Sequence, residues 1–298
     1  MKNFSDMPIN ENEGSLPSIS VVIPTCHRND LLAKCLDCLA PGVQTLAPSQ
    51  YEVIVTDDGA RSTAEQMMRD NYPWAKWTAG PRRGPATNRN HGAALARGEW
   101  LAFTDDDCLP QPEWLKAFNN AIRLDVHIYE GMTTCEAGLR SPLEHAPINL
   151  TGGWLWSCNM MVRKSIFEIM GGFDESFPHP HMEDTDFRER VKQNGYSFAF
   201  IQSARVNHPP RRVAWGAQRG AAQESEVMWY YKSGTYRFAG ISLLKKTLGF
   251  RLRAIKHSPL SVDTLLASVS LLCELLYLLT KVRSWNLKYK DIYLPGKK

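Results

Sequence analysis

Three consecutive aspartates, Asp105, Asp106 and Asp107, directly follow the apolar run WLAFT at residues 100–104. An apolar run of this length, preceded by Gly98, is typical of a buried strand. Carboxylates crowded at a strand end repel one another, and a divalent cation relieves that repulsion because hard cations prefer oxygen ligands. Ligands of open α/β sheets collect where the strands end. The triplet therefore predicts a cation site at a sheet edge, with a solvated acidic turn as the alternative.

The chain has 298 residues, which is enough for one large domain and an appendage. Its 43% hydrophobic and 22% charged residues are ordinary for a globular protein. The net charge of +4 is unevenly spread, since residues 240–298 carry eleven Lys and Arg against three Asp and Glu. This basic tail indicates an anionic partner surface.

The seven cysteines are odd in number and scattered, which argues against a disulfide framework. Cys35 and Cys38 have no second pair to complete a zinc site, so we expect buried helix cysteines. Residues 1–17 are polar and contain no apolar segment, so they do not resemble a signal peptide. We expect a disordered lead and, by default, a cytoplasmic protein.

Strand-like and helix-like segments alternate along the first half of the chain. Strands are predicted at 19–23, 51–56, 75–78, 100–104, 127–135, 156–162 and 196–201, and helices at 30–39, 62–69, 85–97, 112–123 and 183–193. This rhythm predicts the α/β class, with a mainly parallel sheet flanked by helices. From residue 213 the pattern is helical. We therefore predict a catalytic domain at 18–212 and a helical, basic, amphipathic region at 213–298.

The C-terminal region contains a helix with a polar stripe. Asp263, Ser270, Glu274 and Lys281 fall on one line of a helical wheel, and the other faces are rich in Leu and Val. The longest uncharged run, 264–273, is shorter than the roughly 20 residues that a membrane span needs. Three alternatives stay open: a helix in an anionic membrane interface, packing on its own domain, or a homodimer contact.

Two further acidic groups accompany the triplet. Asp57 and Asp58 follow the second predicted strand, and Glu183, Asp184 and Asp186 begin a predicted helix. Carboxylates at a helix start also serve as capping residues, which is an alternative role for Glu183 and Asp186. The sequence GGFDE at residues 171–175 predicts a flexible turn that could place a loop over a pocket.

These motifs, taken in order, resemble family-2 glycosyltransferases with the GT-A fold, a Rossmann-like sheet. Residues 20–25 and 53–59 are similar to the family's opening, and RNxG at 89–92 is similar to the helix before its metal motif. FTDDD at 103–107 matches the Asp-x-Asp motif. GGFDE followed by Glu183 and Asp184 matches the acceptor loop and general base. The resemblance covers residues 18–208.

The resemblance implies that a sugar passes from a nucleotide donor, usually uridine-linked, to a glycan or lipid-linked acceptor with inversion at the anomeric carbon. It implies Mg²⁺ or Mn²⁺ at Asp105, Asp107 and His208, with Asp105 reaching the ribose or the metal through water. Asp184 is the expected general base, since inversion needs one base opposite the leaving group.

Further site residues follow from the same resemblance. The expected donor-binding residues are Thr25, Arg28, Asp58, Arg83, Arg89, Asp105 and Arg212, and the expected acceptor-binding residues are Trp156 and Glu183. Several have alternative roles. Arg83 fits a solvated basic turn, Arg89 an ion pair that supports the acidic strand end, and Trp156 a place in the core.

Other classes remain as alternatives. A sugar nucleotidyltransferase usually carries a glycine-rich phosphate loop, which residues 24–28 lack. A non-catalytic sugar-binding protein would not need Asp105, Asp107 and Asp184 together. Processive relatives carry a Gln-x-x-Arg-Trp motif, and Gln218-Arg219-Gly220 lacks its Trp, which favours single additions. We expect no nucleic-acid binding, because the basic residues lie in an apolar helical tail.

Overall fold

The structure is a computed structural model that describes residues 17–295. The strands are β1 Ile19–Thr25, β2 Tyr51–Asp57, β3 Lys76–Ala79, β4 Trp100–Thr104, β5 Leu109–Pro110, β6 Ile128–Thr134, β7 Glu144–His145, β8 Asn159–Arg163, β9 Ala199–Asn207 and β10 Arg211–Arg212. The helices are α1 Asn29–Leu39, α2 Glu65–Asn71, α3 Pro85–Leu95, α4 Trp114–Ala121, α5 Lys164–Ile169, α6 Glu183–Gln193, α7 Gly216–Lys232, α8 Ile241–Lys256 and α9 Val262–Tyr293. The predicted disordered lead lies, apart from residue 17, outside the described residues.

Eight strands form one mixed sheet in the order β3-β2-β1-β4-β8-β6-β9-β5, and β7 pairs with β10 separately. β3, β2, β1 and β4 run parallel, whereas β8 lies antiparallel between β4 and β6. Thr25 pairs with Asp57 at the carboxyl ends of β1 and β2, and the triplet follows β4 at the same edge. The mainly parallel α/β sheet predicted from the alternating pattern is confirmed.

The sheet buries both of its faces, which explains why the central strands read as continuous apolar runs rather than alternating ones. Every residue of β1 and β4 is buried. Leu32 and Trp114 belong to the cluster that includes α1 and α4, whereas Phe103, Phe173 and Phe187 belong to the second cluster. The phenylalanine of the GGFDE turn is therefore a core residue that anchors the turn beside the sheet.

Gly92 lets α3 lie directly against the sheet. A Cβ atom at this position would stand 2.5 Å from Val22 Cγ1 and 3.1 Å from Thr56 Cγ2. The close approach fixes α3 across β1 and β2. Arg89, one turn earlier on α3, is thereby held against the strand ends.

Element boundaries differ from the predictions where polar contacts decide them. β9 continues six residues beyond the predicted end at residue 201, because it stays paired with β6 through a register shift at Gly131/Met132. α2 begins at Glu65 rather than 62, since the carboxylate of Asp57 accepts a hydrogen bond from the Ala64 N–H at 2.6 Å and holds the preceding residues in a loop.

Three members of the polar stripe of α9, Asp263, Ser270 and Glu274, face the protein, whereas Lys281 is exposed. Glu274 is fully buried and contacts Arg219 at 3.4 Å and Arg251 at 3.3 Å, and Asp263 pairs with Arg212 at 3.1 Å. α9 packs along α7. The structure therefore shows the packing on the chain's own domain, which was one of the three alternatives.

We predict that Gly92→Val destabilises the fold by at least about 2 kcal/mol, since the new side chain would overpack the interface between α3 and β1. Urea unfolding measures this loss. Gly249→Val is the matched control, because Gly249 is also helical and a Cβ atom at that position would have no neighbour within 4 Å. Equal stability of the two variants would contradict the packing described here.

Candidate active site

A cleft of about 800 Å³ opens at the carboxyl ends of β1, β2 and β4 and at the start of α6. Nine of the predicted site residues line it: Thr25, Arg28, Asp58, Arg89, Asp105, Trp156, Glu183, Asp184 and His208. These residues come from distant parts of the chain. The sheet topology, which places parallel strand ends at one edge, brings them together.

Asp106, the middle residue of the triplet, is an internal anchor. It is fully buried and accepts hydrogen bonds from Thr25 Oγ1 at 2.7 Å and Arg28 Nε at 3.1 Å. Burial raises the pKa of Asp106 to about 7, although Arg28 opposes the shift. Thr25 and Arg28, both predicted to bind the donor, therefore also hold the acidic strand end in place.

Asp107 and His208 form the part of the site that fits a metal ion. Asp107 Oδ1 lies 3.3 Å from His208 Nε2 and accepts no hydrogen bond within the described residues. His208 Nδ1 lies 2.9 Å from the Pro209 carbonyl oxygen, which can only accept, so Nδ1 carries a proton. When the ring is neutral, its Nε2 lone pair points towards a carboxylate oxygen, so a cation between the two atoms would take the place of the Nε2 proton.

Without a cation, the electrostatics of this pair favour the protonated ring of His208 in an ion pair with Asp107. Although burial opposes the charged forms, the contact with Asp107 raises the pKa of His208 to about 9, and His208 and Arg28 hold the pKa of Asp107 well below its usual range. Cys108 Sγ lies in the same group, whose ligand atoms are all within 4.8 Å of one another. Asp105 does not belong to this group.

Arg89 joins the acidic strand end to α6. Its buried guanidinium donates to Asp105 Oδ1 at 2.6 Å and to Glu183 Oε1 at 3.2 Å. The ion-pair role considered for Arg89 is the one the structure shows. This contact fixes the position of the Glu183 side chain, which also lines the cleft.

The three acidic side chains at the start of α6 have different surroundings. Glu183 pairs with Arg89, and Asp186 pairs with Arg190 and Lys232, each at 2.7 Å. Asp184 lines the cleft and forms no ion pair within residues 17–295. Burial and the neighbouring Glu183 raise the pKa of Asp184 to about 7, with Arg89 opposing. Asp184 is therefore the carboxylate best suited to accept a proton from a bound molecule.

Three predicted residues do not line the cleft: Arg83, Arg212 and Asp107, the last of which is 8% exposed and contacts the cleft residue His208. Arg83 pairs with Glu175 at 2.8 Å, and Arg212 pairs with Asp263 on α9. Arg211 lines the cleft instead, 3.7 Å from Asp107. Neighbouring side chains of a strand point to opposite faces, so β10 can direct only one of its two arginines inward. The sequence contains both residues but not the direction of each.

Asp58 shapes the wall of the cleft. Its carboxylate accepts hydrogen bonds from the backbone N–H groups of Arg82 at 2.9 Å and Gly84 at 3.0 Å. The turn that leads into α3 is therefore held by Asp58. A nucleoside in the cleft would meet a carboxylate of fixed orientation.

Glu130, which sequence reasoning missed, supports the turn before Trp156. It is buried on β6 and accepts hydrogen bonds from the backbone of Gly153, Trp154 and Leu155. Trp154 and Trp156 stack with their ring centroids 5.2 Å apart, and Trp156 faces the cleft. No signal could have found Glu130, because a single acid in an apolar strand has no motif.

Comparison with known proteins relates the first part of the chain to a family. Residues 20–132 match the family model described as glycosyl transferase family 2. Validoxylamine A glucosyltransferase of Streptomyces hygroscopicus subsp. limoneus is 27% identical over 223 residues, which cover 60% of this chain. The alignment covers 49% of that relative, so the chain matches about half of its length.

Two solved structures share the fold. The mannosyltransferase PcManGT of Pyrobaculum calidifontis, in complex with GDP-Man and Mn²⁺, has a TM-score of 0.55 at 17% identity over 95% of this chain and 89% of its own. S. aureus TarS in complex with UDP-GlcNAc has a TM-score of 0.53 at 16% identity over 94% and 76% of the two chains. The predicted GT-A type fold is confirmed, and over residues 20–132 the chain is similar to the family-2 glycosyltransferases.

We predict that Asp107→Asn lowers the affinity for Mn²⁺ in the presence of UDP at least about tenfold, because it removes a charged ligand from the pair with His208. Calorimetric titration measures this affinity. Asp70→Asn, on the exposed face of α2, is the control and should bind as the unaltered chain does. Unchanged Mn²⁺ affinity in Asp107→Asn would exclude Asp107 as a ligand.

Proposed function

We propose that the chain is a metal-dependent, inverting glycosyltransferase that moves a sugar from a UDP-linked donor to a hydroxyl of a glycan or lipid-linked acceptor. The observation that carries this proposal is a cleft lined both by His208, which contacts Asp107 beneath it, and by Asp184, a carboxylate without an ion pair in the described residues. Both parts are needed, since a cation at the first would stabilise the leaving diphosphate and Asp184 would take the proton of the attacking hydroxyl.

The donor occupies the sheet-edge half of the cleft. Asp58 and Thr25 contact the nucleoside, while Arg28 and Arg211 face the diphosphate with bidentate hydrogen-bonding groups. Asp107 and His208 hold Mg²⁺ or Mn²⁺, and Asp105 reaches the ribose. When bound, the cation stabilises the negative charge that develops on the diphosphate. Arg83 and Arg212 have no part in this proposal because they lie outside the cleft.

Asp184 takes the proton in the transfer step. An acceptor oxygen attacks the anomeric carbon while the bond from that carbon to the diphosphate oxygen breaks, and the hydroxyl proton passes to Asp184. The products are an inverted glycoside and a nucleoside diphosphate. Glu183 and Trp156 contact the acceptor, the latter through its ring face. No covalent bond between sugar and protein is required.

Three features of similar proteins support the finer parts of the proposal. One structural neighbour is in complex with GDP-Man and Mn²⁺, another with UDP-GlcNAc, and the validoxylamine relative is a glucosyltransferase.

The site of reaction proposed for this chain is the cytoplasm. A nucleotidyltransferase is disfavoured because residues 24–28, which line this cleft in part, lack a glycine-rich phosphate loop.

The activity is tested with a panel of nucleotide sugars. We predict that one UDP-sugar raises the melting temperature only when Mn²⁺ or Mg²⁺ is present, since bound ligand stabilises the folded state. Nucleoside diphosphate should then accumulate with that donor. Release of pyrophosphate from a nucleoside triphosphate would identify a nucleotidyltransferase instead, and no metal-dependent response would contradict the proposal.

We predict that Asp184→Asn lowers kcat for transfer by about 100- to 10,000-fold, because a neutral amide cannot take the acceptor proton. Its dissociation constant for UDP should change less than about twofold, since the proposed role of Asp184 is towards the acceptor hydroxyl and not towards the nucleotide. Glu189→Gln, on the same helix and exposed in part, serves as control. Transfer at the normal rate by Asp184→Asn would show that another group is the base.

The pH dependence provides a second check. A base with a pKa of about 7 is active when deprotonated, so kcat/KM should rise with pH and level off above about pH 7. Below that value it should fall about tenfold per pH unit. Initial rates at saturating metal between about pH 5 and pH 8 measure the profile. A flat profile would contradict the assignment of Asp184.

A further inference from the structure

We propose that the outward sides of α8 and α9 form a docking surface for an anionic lipid bilayer, on which α9 lies flat. We call this surface the C-terminal docking face. It comprises Ile241, Leu248 and Leu252 on α8, and Leu265, Val269, Leu272, Leu276, Leu279 and Leu287 on α9.

α9 turns a leucine-rich side towards solvent and keeps two polar residues inside. Ser270 and Glu274 are fully buried, whereas Leu265, Leu272 and Leu279 are 66%, 57% and 64% exposed. A surface helix of a globular protein normally turns its apolar stripe inward and its charges to water. The leucine-rich side of α9 leaves a continuous apolar strip in need of an apolar partner.

The apolar surface extends from α9 to α8. A groove of about 410 Å³ runs between the two helices. Ile241, Leu244, Leu279 and Leu287 line it, and Arg283 and Lys290 stand at its side. Ile241 is 70% exposed. The two helices therefore present one shared face rather than two separate apolar spots.

Charge identifies the occupant as an anionic surface. Lys245, Arg253 and Lys256 on α8 and Arg283 and Lys290 on α9 are exposed, and no carboxylate pairs with them in the described part of the chain. Anionic headgroups would neutralise these residues while the acyl region receives the leucines. A second copy docked through the same face would bring like charges together, which disfavours a homodimer.

The packing of α9 favours an interfacial position over a span. By length and composition this helix could cross a membrane, with a mean hydropathy of 1.8 over its most apolar 18 residues. Its inner side, however, is buried against the protein at Ala267, Leu271 and Leu278. A span would strip away these contacts and expose the ion pairs of Glu274 to hydrocarbon.

The C-terminal docking face is connected to the cleft through β10 and α7. β10 carries Arg211 into the cleft, and α7, which follows it directly, is the helix on which α9 packs. Docking would therefore hold the catalytic domain at the cytoplasmic surface, close to lipid-linked acceptors. This last step alone rests on the proposed function, since the docking itself needs no sugar chemistry.

Vesicle sedimentation of the full chain tests the inference. We expect at least about tenfold tighter binding to phosphatidylcholine vesicles that contain about one third phosphatidylglycerol than to phosphatidylcholine alone. Leu272→Glu combined with Leu276→Glu should lower binding to the anionic vesicles at least about tenfold. Leu124→Glu, at a 92% exposed position of another part of the molecule, is the matched control and should bind normally.

Two further measurements distinguish a loss of membrane docking from a loss of folding or of donor binding. Circular dichroism and UDP binding of the double variant should match those of the unaltered chain, so that lost docking is not lost folding and does not depend on the donor site. Binding that is equal for both vesicle types, or unaffected by the double variant, would overturn the inference. So would a dimer in sedimentation velocity that the double variant dissociates, because a second copy would then cover the face.

Discussion

The contact on which the site depends is the buried guanidinium of Arg89 between Asp105 and Glu183. A buried charge is costly unless it is paired and hydrogen-bonded, and here two carboxylates from different elements satisfy it. The pair fixes the end of β4 relative to the start of α6. Gly92 makes it geometrically possible by letting α3 approach the sheet. The position of Asp184 relative to the Asp107–His208 pair is thus set by a core interaction rather than by a loop.

Much of the sheet was predictable because its strands are buried on both faces. Apolar runs with clear ends predicted β1, β2 and β4, and their alternation with helices predicted a mainly parallel sheet. Prediction failed where tertiary contacts extend or shorten an element. β9 continues through polar residues because β6 supplies its hydrogen bonds, and α2 starts late because Asp57 captures the Ala64 N–H. β6 is distant in sequence from β9, and Asp57 precedes Ala64 by seven residues.

The site was predictable in its charged motifs and not in its supporting contacts. Nine of the predicted residues line the cleft because the motifs follow strand ends. Arg212 and Arg83, predicted to bind the donor, do not line the cleft, since the direction of a side chain on a short strand or turn depends on the rest of the fold. Glu130 had no signal at all. The polar stripe of α9 was visible, but only the partners Arg219 and Arg251 show that its Glu274 faces inward.

The central claim is that Asp107 and His208 hold the cation that neutralises the diphosphate of the donor. Crystals grown with Mn²⁺ and UDP, measured for the anomalous signal of manganese, test it most directly. The account predicts one anomalous peak within coordination distance of Asp107 Oδ1 and His208 Nε2, with the diphosphate beside it. A peak elsewhere in the cleft, or a diphosphate bound away from these two residues, would contradict it.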